Sequence, residues 1–209
     1  MTANSAQQEA FVDFFRAAIE QGVLNRVPIM KDPDGPPKKA IVVACGQASY
    51  VPDRVPHLHQ RVTDFTHLIN ANAGGFVLDP EYRSRNTECG AIHAGTVAQI
   101  FQFMEMALCH GLLARGDELT VFSFYDYHCL VVEELGYSPV EFVRASIRAK
   151  NHLRSFRNLP VRLTVSNLYY LAPPITPIKP LTFHAPRCAL APFADKYVRT
   201  MDAARTAAV

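Results

Sequence analysis

No stretch of this 209-residue chain approaches the ~20 apolar residues needed to cross a bilayer, so no membrane span is expected. An excess of charge of one sign is missing too. The 21 basic and 19 acidic side chains are interspersed, and a net charge of +2 makes no electrostatic case for nucleic acid. The five cysteines, at 45, 89, 109, 129 and 188, are an odd and widely spaced set that makes no disulfide framework. The run Met1 to Ser5 carries neither the basic nor the apolar region of a secretory signal. Together these absences predict a cytoplasmic protein with reduced thiols. There is no glycine-rich phosphate loop, which ranks a nucleotide enzyme last, and there is no internal repeat or low-complexity segment.

What is present is an ordinary globular composition, 49% apolar and 19% charged, with length enough for one domain. Spacing predicts an amphipathic helix over 6–22, with Phe11, Phe14, Phe15, Ala18 and Ile19 on one face. Residues 32–39 hold three prolines and a glycine and read as a turn or linker. The continuous apolar run at 40–45 predicts a strand buried on both faces, as in a parallel sheet. A shorter strand is expected at 66–71, followed by Asn72, Ala73 and the glycine pair Gly74-Gly75, which permits close backbone approach. Residues 79–95 read as a long polar loop. Val97, Ile100, Phe101, Met104, Leu108 and Leu112 then repeat at helical spacing. A third strand is predicted over 118–125, a helix over 139–154 and a fourth strand over 161–170. Prolines 173, 174, 177 and 180 predict an extended tail, helical only from about Phe193. The order is that of an α/β fold with a mainly parallel central sheet flanked by helices.

Two polar clusters interrupt this apolar pattern at strand ends. Cys45 closes the run Ala40-Ile41-Val42-Val43-Ala44, and Tyr125-Asp126-Tyr127-His128-Cys129 closes the third strand. Strand ends are where an open α/β sheet does chemistry. A thiol at one and a carboxylate, an imidazole and a thiol at the other outline a zinc site drawn from two strands.

Several segments resemble the β-class carbonic anhydrases. Ile41-Val42-Val43-Ala44-Cys45 followed by Val51-Pro52-Asp53-Arg54 is similar to that family's first zinc-ligand strand and its continuation. His67-Leu68-Ile69-Asn70-Ala71-Asn72-Ala73-Gly74-Gly75 resembles its second strand and glycine turn with one residue inserted. Val143 to Arg148 and Pro160-Val161-Arg162 resemble its later helix and final strand, so the likeness spans about residues 40–172. It implies a single domain with an N-terminal helical arm over about 1–30 and a proline-rich tail over about 172–209. It further implies a zinc lyase hydrating CO2 to bicarbonate or acting on a similar small electrophile. A homodimer or tetramer follows by analogy, the N-terminal helix of that fold usually packing on a neighbouring subunit.

The chain departs from the family at the site. Where the motif Cys-x-Asp-x-Arg has its acid and its base, this sequence has Gln47 and Ser49, neither charged. In the second motif, His-x-x-Cys-Gly, fitting Cys129 to the cysteine puts Asp126 in the histidine's place, and fitting His128 puts Tyr125 there. The expected zinc ligands are therefore Cys45, Asp126 and Cys129, with His128 as an alternative. Gln47, Asp126 and His128 are the candidate catalytic residues, and Asn72, Gly74, Gly75 and Tyr125 would shape the substrate pocket. Asn86-Thr87-Glu88-Cys89-Gly90-Ala91 resembles a ligand motif lying before the long helix, and His93 stands one helical turn after Cys89, so this pair is a further metal candidate. The bland reading stays open beside these. Cys45 would then be a small buried hydrophobe, Asp126 and His128 would satisfy each other, and the protein would be a metal-free binding or structural subunit. A third reading makes Cys45 a nucleophile beside His128. The basic residues Arg144, Arg148, Lys150, Arg154 and Arg157 read as a solvated helical face.

Overall fold

The computed structural model describes residues 3–27, 39–45, 65–71, 73–84, 87–128, 132, 136–178, 181–186 and 189–207. In chain order these form helix α1 (Ala3–Glu20), strands β1 (Asn25–Arg26), β2 (Lys39–Ala44) and β3 (Phe65–Asn70), and a 3-10 turn (Gly74–Leu78). Helices α2 (Pro80–Ser84) and α3 (Thr87–Cys109), strand β4 (Glu118–Asp126), helix α4 (Pro139–Ser155), strands β5 (Arg162–Leu171) and β6 (Leu181–His184) and helix α5 (Leu190–Ala207) follow. The six strands make one sheet in the order β1-β6-β5-β4-β2-β3.

The apolar runs build the parallel part. β2 pairs in parallel with β3, Ile41 opposite His67, and with β4, Ile41 opposite Val121. β4 pairs in parallel with β5, Val121 opposite Val165. β6 adds antiparallel to β5, and β1 adds antiparallel to β6. Alternation along each strand sorts side chains onto two faces. Ile41, Val43, Val121 and Val165 join the main core, where they meet Phe11, Phe14 and Phe15 of α1, Ile100 and Met104 of α3, Phe142 and Leu153 of α4 and Phe193 of α5. Ala40, Val42 and Ala44 face the other way and form a smaller cluster with Phe124 and Leu168, to which no described helix contributes. β2 is thus buried on both faces, as its unalternating sequence predicts.

Helix α4 starts where its sequence says it should. Pro139 occupies the first turn, and the Ser138 hydroxyl accepts from the Glu141 backbone N–H at 3.2 Å, the cap that a Ser-x-x-Glu spacing provides. Helix α1 is no projecting arm. The Phe15 ring meets Phe142 edge-on at 5.6 Å, and Phe14 meets Phe193 at 5.2 Å, so this helix completes the core of its own chain.

Three expectations are corrected. The segment 79–95 is not a loop but a 3-10 end, α2 and the first turns of α3. The buried side of α3 runs through His93, Thr96, Ile100, Met104 and Ala107, while Leu112 lies beyond the helix and is 49% exposed. Two of those positions are polar, which hid the helix's beginning from an apolar-periodicity test. The tail after Leu171, expected to be extended and then helical from about Phe193, does carry an extended strand before a helix that begins at Leu190. Arg148, read as solvated, binds a buried carboxylate instead. Its Nε donates to Asp79 Oδ1 at 3.0 Å and its Nη2 to Asp79 Oδ2 at 2.8 Å.

Asp79 is fully buried, so Arg148→Met should cost about 2–3 kcal/mol by stranding a carboxylate. Urea denaturation measures this, and adding Asp79→Asn should return much of the loss.

Candidate functional site

The strand order reverses direction at β2. The chain goes from β2 outward to β3, then returns to place β4 on the other side. In an open parallel sheet, the crevice beyond the carboxyl ends of two such strands is the place where ligands bind. Cys45 immediately follows β2, and Asp126 is the last residue of β4. Two positions past the Val43–Ser123 pairing, Cys45 stands level with Tyr125, and Asp126 lies one residue further.

The glycine turn closes over this crevice. Ala71 N–H donates to Ala44 O at 2.8 Å, fixing the end of β3 beside the end of β2. Gly74 has φ +55, and a Cβ there would lie 2.9 Å from the Phe124 carbonyl and 3.3 Å from the Cys45 nitrogen. A Cβ on Gly75 would sit 2.6 Å from Cζ of Tyr125. Only glycine satisfies both positions. Tyr125 is accordingly a core residue beneath the turn rather than an open pocket wall; its ring meets Phe76 edge-on at 4.9 Å.

Asp126 is the site's electrostatic focus. It is 9% exposed, its Oδ1 accepts the His128 backbone N–H at 2.9 Å, and it joins no ion pair among the described residues. Burial raises its carboxyl above the usual range, while the His128 N–H and the His128 ring pull the other way. Burial and the neighbouring Asp126 charge push Tyr127 up to about 12. The Tyr125 phenol is driven far above its ordinary value by burial first, then by Tyr169 and Asp79. The His128 side chain is exposed and lies against the Tyr127 ring, with centroids 3.8 Å apart. Asp126 and His128 therefore meet through backbone, not ring to carboxylate.

A polar cluster beneath α4 had no sequence-level candidate. Ser146 Oγ lies 2.8 Å from the Tyr169 hydroxyl, and Asn167 Nδ2 donates to Ser146 O at 2.8 Å. Asn167 Oδ1 is buried with no hydrogen-bond partner among the described residues. The signal was available: Ser123 and Asn167 interrupt apolar alternation in facing strands and pair with each other in register.

The structure thus brings Cys45, Gly74, Gly75, Tyr125 and Asp126 to one end of the sheet, with His128 on its rim. Gln47, Asn72 and Cys129 lie outside the described residues, as do Ser49, Asp53 and Arg54. Cys89 is placed on α3 one turn before His93, and His93 is buried with Nδ1 2.6 Å from Val77 O. Among the described residues no group of three or more metal-ligating side chains is gathered, and no helix is long and apolar enough to cross a membrane.

Gly75→Ala should cost about 1–3 kcal/mol in thermal or urea unfolding, because the added carbon meets a buried ring. Combined with Tyr125→Val, the two losses should sum to less than their separate values. Asp126→Asn keeps the acceptor for the His128 N–H and removes the buried charge. Since the folded carboxyl titrates higher than the unfolded one, its ionisation costs stability as pH rises through that range. In chelator-treated protein the variant should therefore melt above the parent at pH 7, and the gain should vanish below about pH 4. Comparison with family models, curated proteins and solved structures finds no match for this chain.

Proposed function

We propose that the protein is a β-carbonic-anhydrase-like zinc lyase that hydrates CO2, or a similar small electrophile, in the crevice between the ends of β2 and β4. The observation that carries this reading is that a thiol directly follows β2 and a buried carboxylate ends β4, the two adjacent strands at which strand order reverses. The donor chemistry suits zinc. Cys45 offers sulfur. Asp126 Oδ2 accepts no hydrogen bond among the described residues, while Oδ1 is oriented by the His128 N–H, the kind of support a ligating carboxylate needs. Cys129 is the third donor of this reading, with His128 in reserve. Alternation sets Cys45 and Asp126 on opposite faces while both strands run on, so convergence depends on the path of the residues that follow; 127–128 turn after β4, and those after Cys45 lie outside the described residues.

When bound, zinc supplies acidified water at neutral pH. The chain's own groups do the rest. The Gly74–Gly75 turn and the Phe76 and Tyr125 rings exclude bulk water from the floor of the crevice. Exposed His128 stands at its rim, where an imidazole can pass a proton to solvent. Gln47, uncharged, fills the role of the family's acid only as a hydrogen-bonding group.

A second reading, a metal-free binding or structural subunit of the same scaffold, is favoured by one observation. Asp126 already caps the Tyr127–His128 turn, which gives a buried carboxylate a structural task without any metal.

Metal analysis with a stopped-flow CO2 hydration assay separates the two. The enzyme reading expects about one zinc per chain, retained by Cys109→Ser and lost with Cys45→Ser, and at least a hundredfold fall in hydration on that loss. Folded protein purified without metal and inert toward CO2 after zinc addition would leave the subunit reading standing.

A further inference from the structure

His93 and His152 come from two different helices and face each other with ring centroids 5.2 Å apart and planes tilted by 40°. His93, on α3, is 5% exposed. Its Nδ1 lies 2.6 Å from the Val77 carbonyl, which can only accept, so Nδ1 carries the proton and Nε2 holds the lone pair. Nε2 has no hydrogen-bond partner among the described residues. A buried imidazole oriented by a backbone carbonyl through one nitrogen, with the other left bare, is the arrangement of a metal-ligating histidine. With Zn–N bonds of about 2.0–2.1 Å and tetrahedral angles, two imidazole centroids sharing one ion fall about 5 Å apart. That matches the observed separation.

The surroundings tolerate a cation. Arg148, one turn before His152 on α4, is already matched by Asp79 at 2.8 Å and Glu81 at 3.2 Å. The His152 ring is steadied by the edge of Phe156, with centroids 5.3 Å apart. We propose that His93 and His152 form a two-histidine site for a divalent transition metal, with water completing the coordination, on side chains distinct from the Cys45 and Asp126 pair. Such an ion ties α3 to α4. Through the Nδ1 to Val77 contact it also braces the 3-10 turn that covers the crevice. The inference does not rest on the zinc-lyase reading.

Ni2+, a metal that imidazole suits, is the probe. The full chain is stripped with chelator and carries Cys45→Ser, so that the other candidate set cannot contribute. Calorimetric titration should show one Ni2+ per chain and a melting temperature that rises with Ni2+. His93→Asn keeps an amide donor for Val77 O but removes the ligating nitrogen, and His152→Phe keeps a ring against Phe156. Each should weaken Ni2+ at least tenfold and abolish the thermal shift, the melting temperature with Ni2+ being read against that of the same variant without metal. Unchanged Ni2+ affinity in either variant, or no Ni2+ binding by the parent, overturns the site. Zinc bound through Cys45 in the parent, together with no Ni2+ binding by the Cys45→Ser chain, would leave the lyase reading intact while removing this one.

Discussion

The close passage of the Gly74–Gly75 turn across the ends of β2 and β4 is the constraint on which the rest of the structure depends. A backbone carrying no Cβ lies against the Phe124 carbonyl, the Cys45 nitrogen and the face of Tyr125 at once. Any side chain there would lift the turn off the sheet and open the core above Tyr125. Five residues later the chain is held again, by the Arg148 fork on Asp79, whose Oδ1 also accepts the Glu81 N–H at 3.1 Å to start α2. Between these two anchors the 3-10 turn buries Phe76, Val77 and Leu78 and offers the Val77 carbonyl to His93. Both candidate ligand sets are therefore positioned by one short segment with little freedom.

Local periodicity made much of this architecture readable and left particular parts hidden. Strands β2 to β5 follow from apolar runs bounded by turn residues, and α1 and α4 from aromatic or capped helical repeats; each lies within about two or three residues of its expected bounds. The beginning of α3 was missed because its inward positions are His93 and Thr96. β6 is four residues long, with Pro180 just before it and Pro186 just after, and prolines report extended chain without saying whether it pairs. β1 is two residues long and exists only as an edge partner of β6. Propensity has no purchase on strands so short.

The candidate site divides in the same way. Cys45, Gly74, Gly75 and Asp126 could be singled out because residue type and strand-end position coincide. The Arg148 and Asp79 pair spans 69 positions in sequence, and the His93 and His152 pair bridges two helices. Nothing local in a sequence specifies such partners. Arg148 resembles its solvated neighbours on α4 until α2 is placed beneath it. Arg144, on the same helix, does behave as a surface residue, pairing at 3.2 Å with both Glu141 and Asp195.

Two carboxylates, Asp79 and Asp126, are buried, and their surroundings differ. Asp79 is enclosed more completely than Asp126, yet it is matched by a guanidinium through both oxygens and heads a helix, so its burial is explained by the fold itself. Asp126 has one backbone donor and no ion pair among the described residues, and burial pushes its carboxyl upward. A fold that needed only a capped turn there would do as well with asparagine, which accepts the same hydrogen bond without a charge. A carboxylate kept at a stability cost, at the carboxyl end of a strand and beside the sheet's reversal point, is where a requirement other than folding is expected. That asymmetry argues for chemistry at the end of β4, whereas the glycine turn alone would argue only for a well-packed sheet.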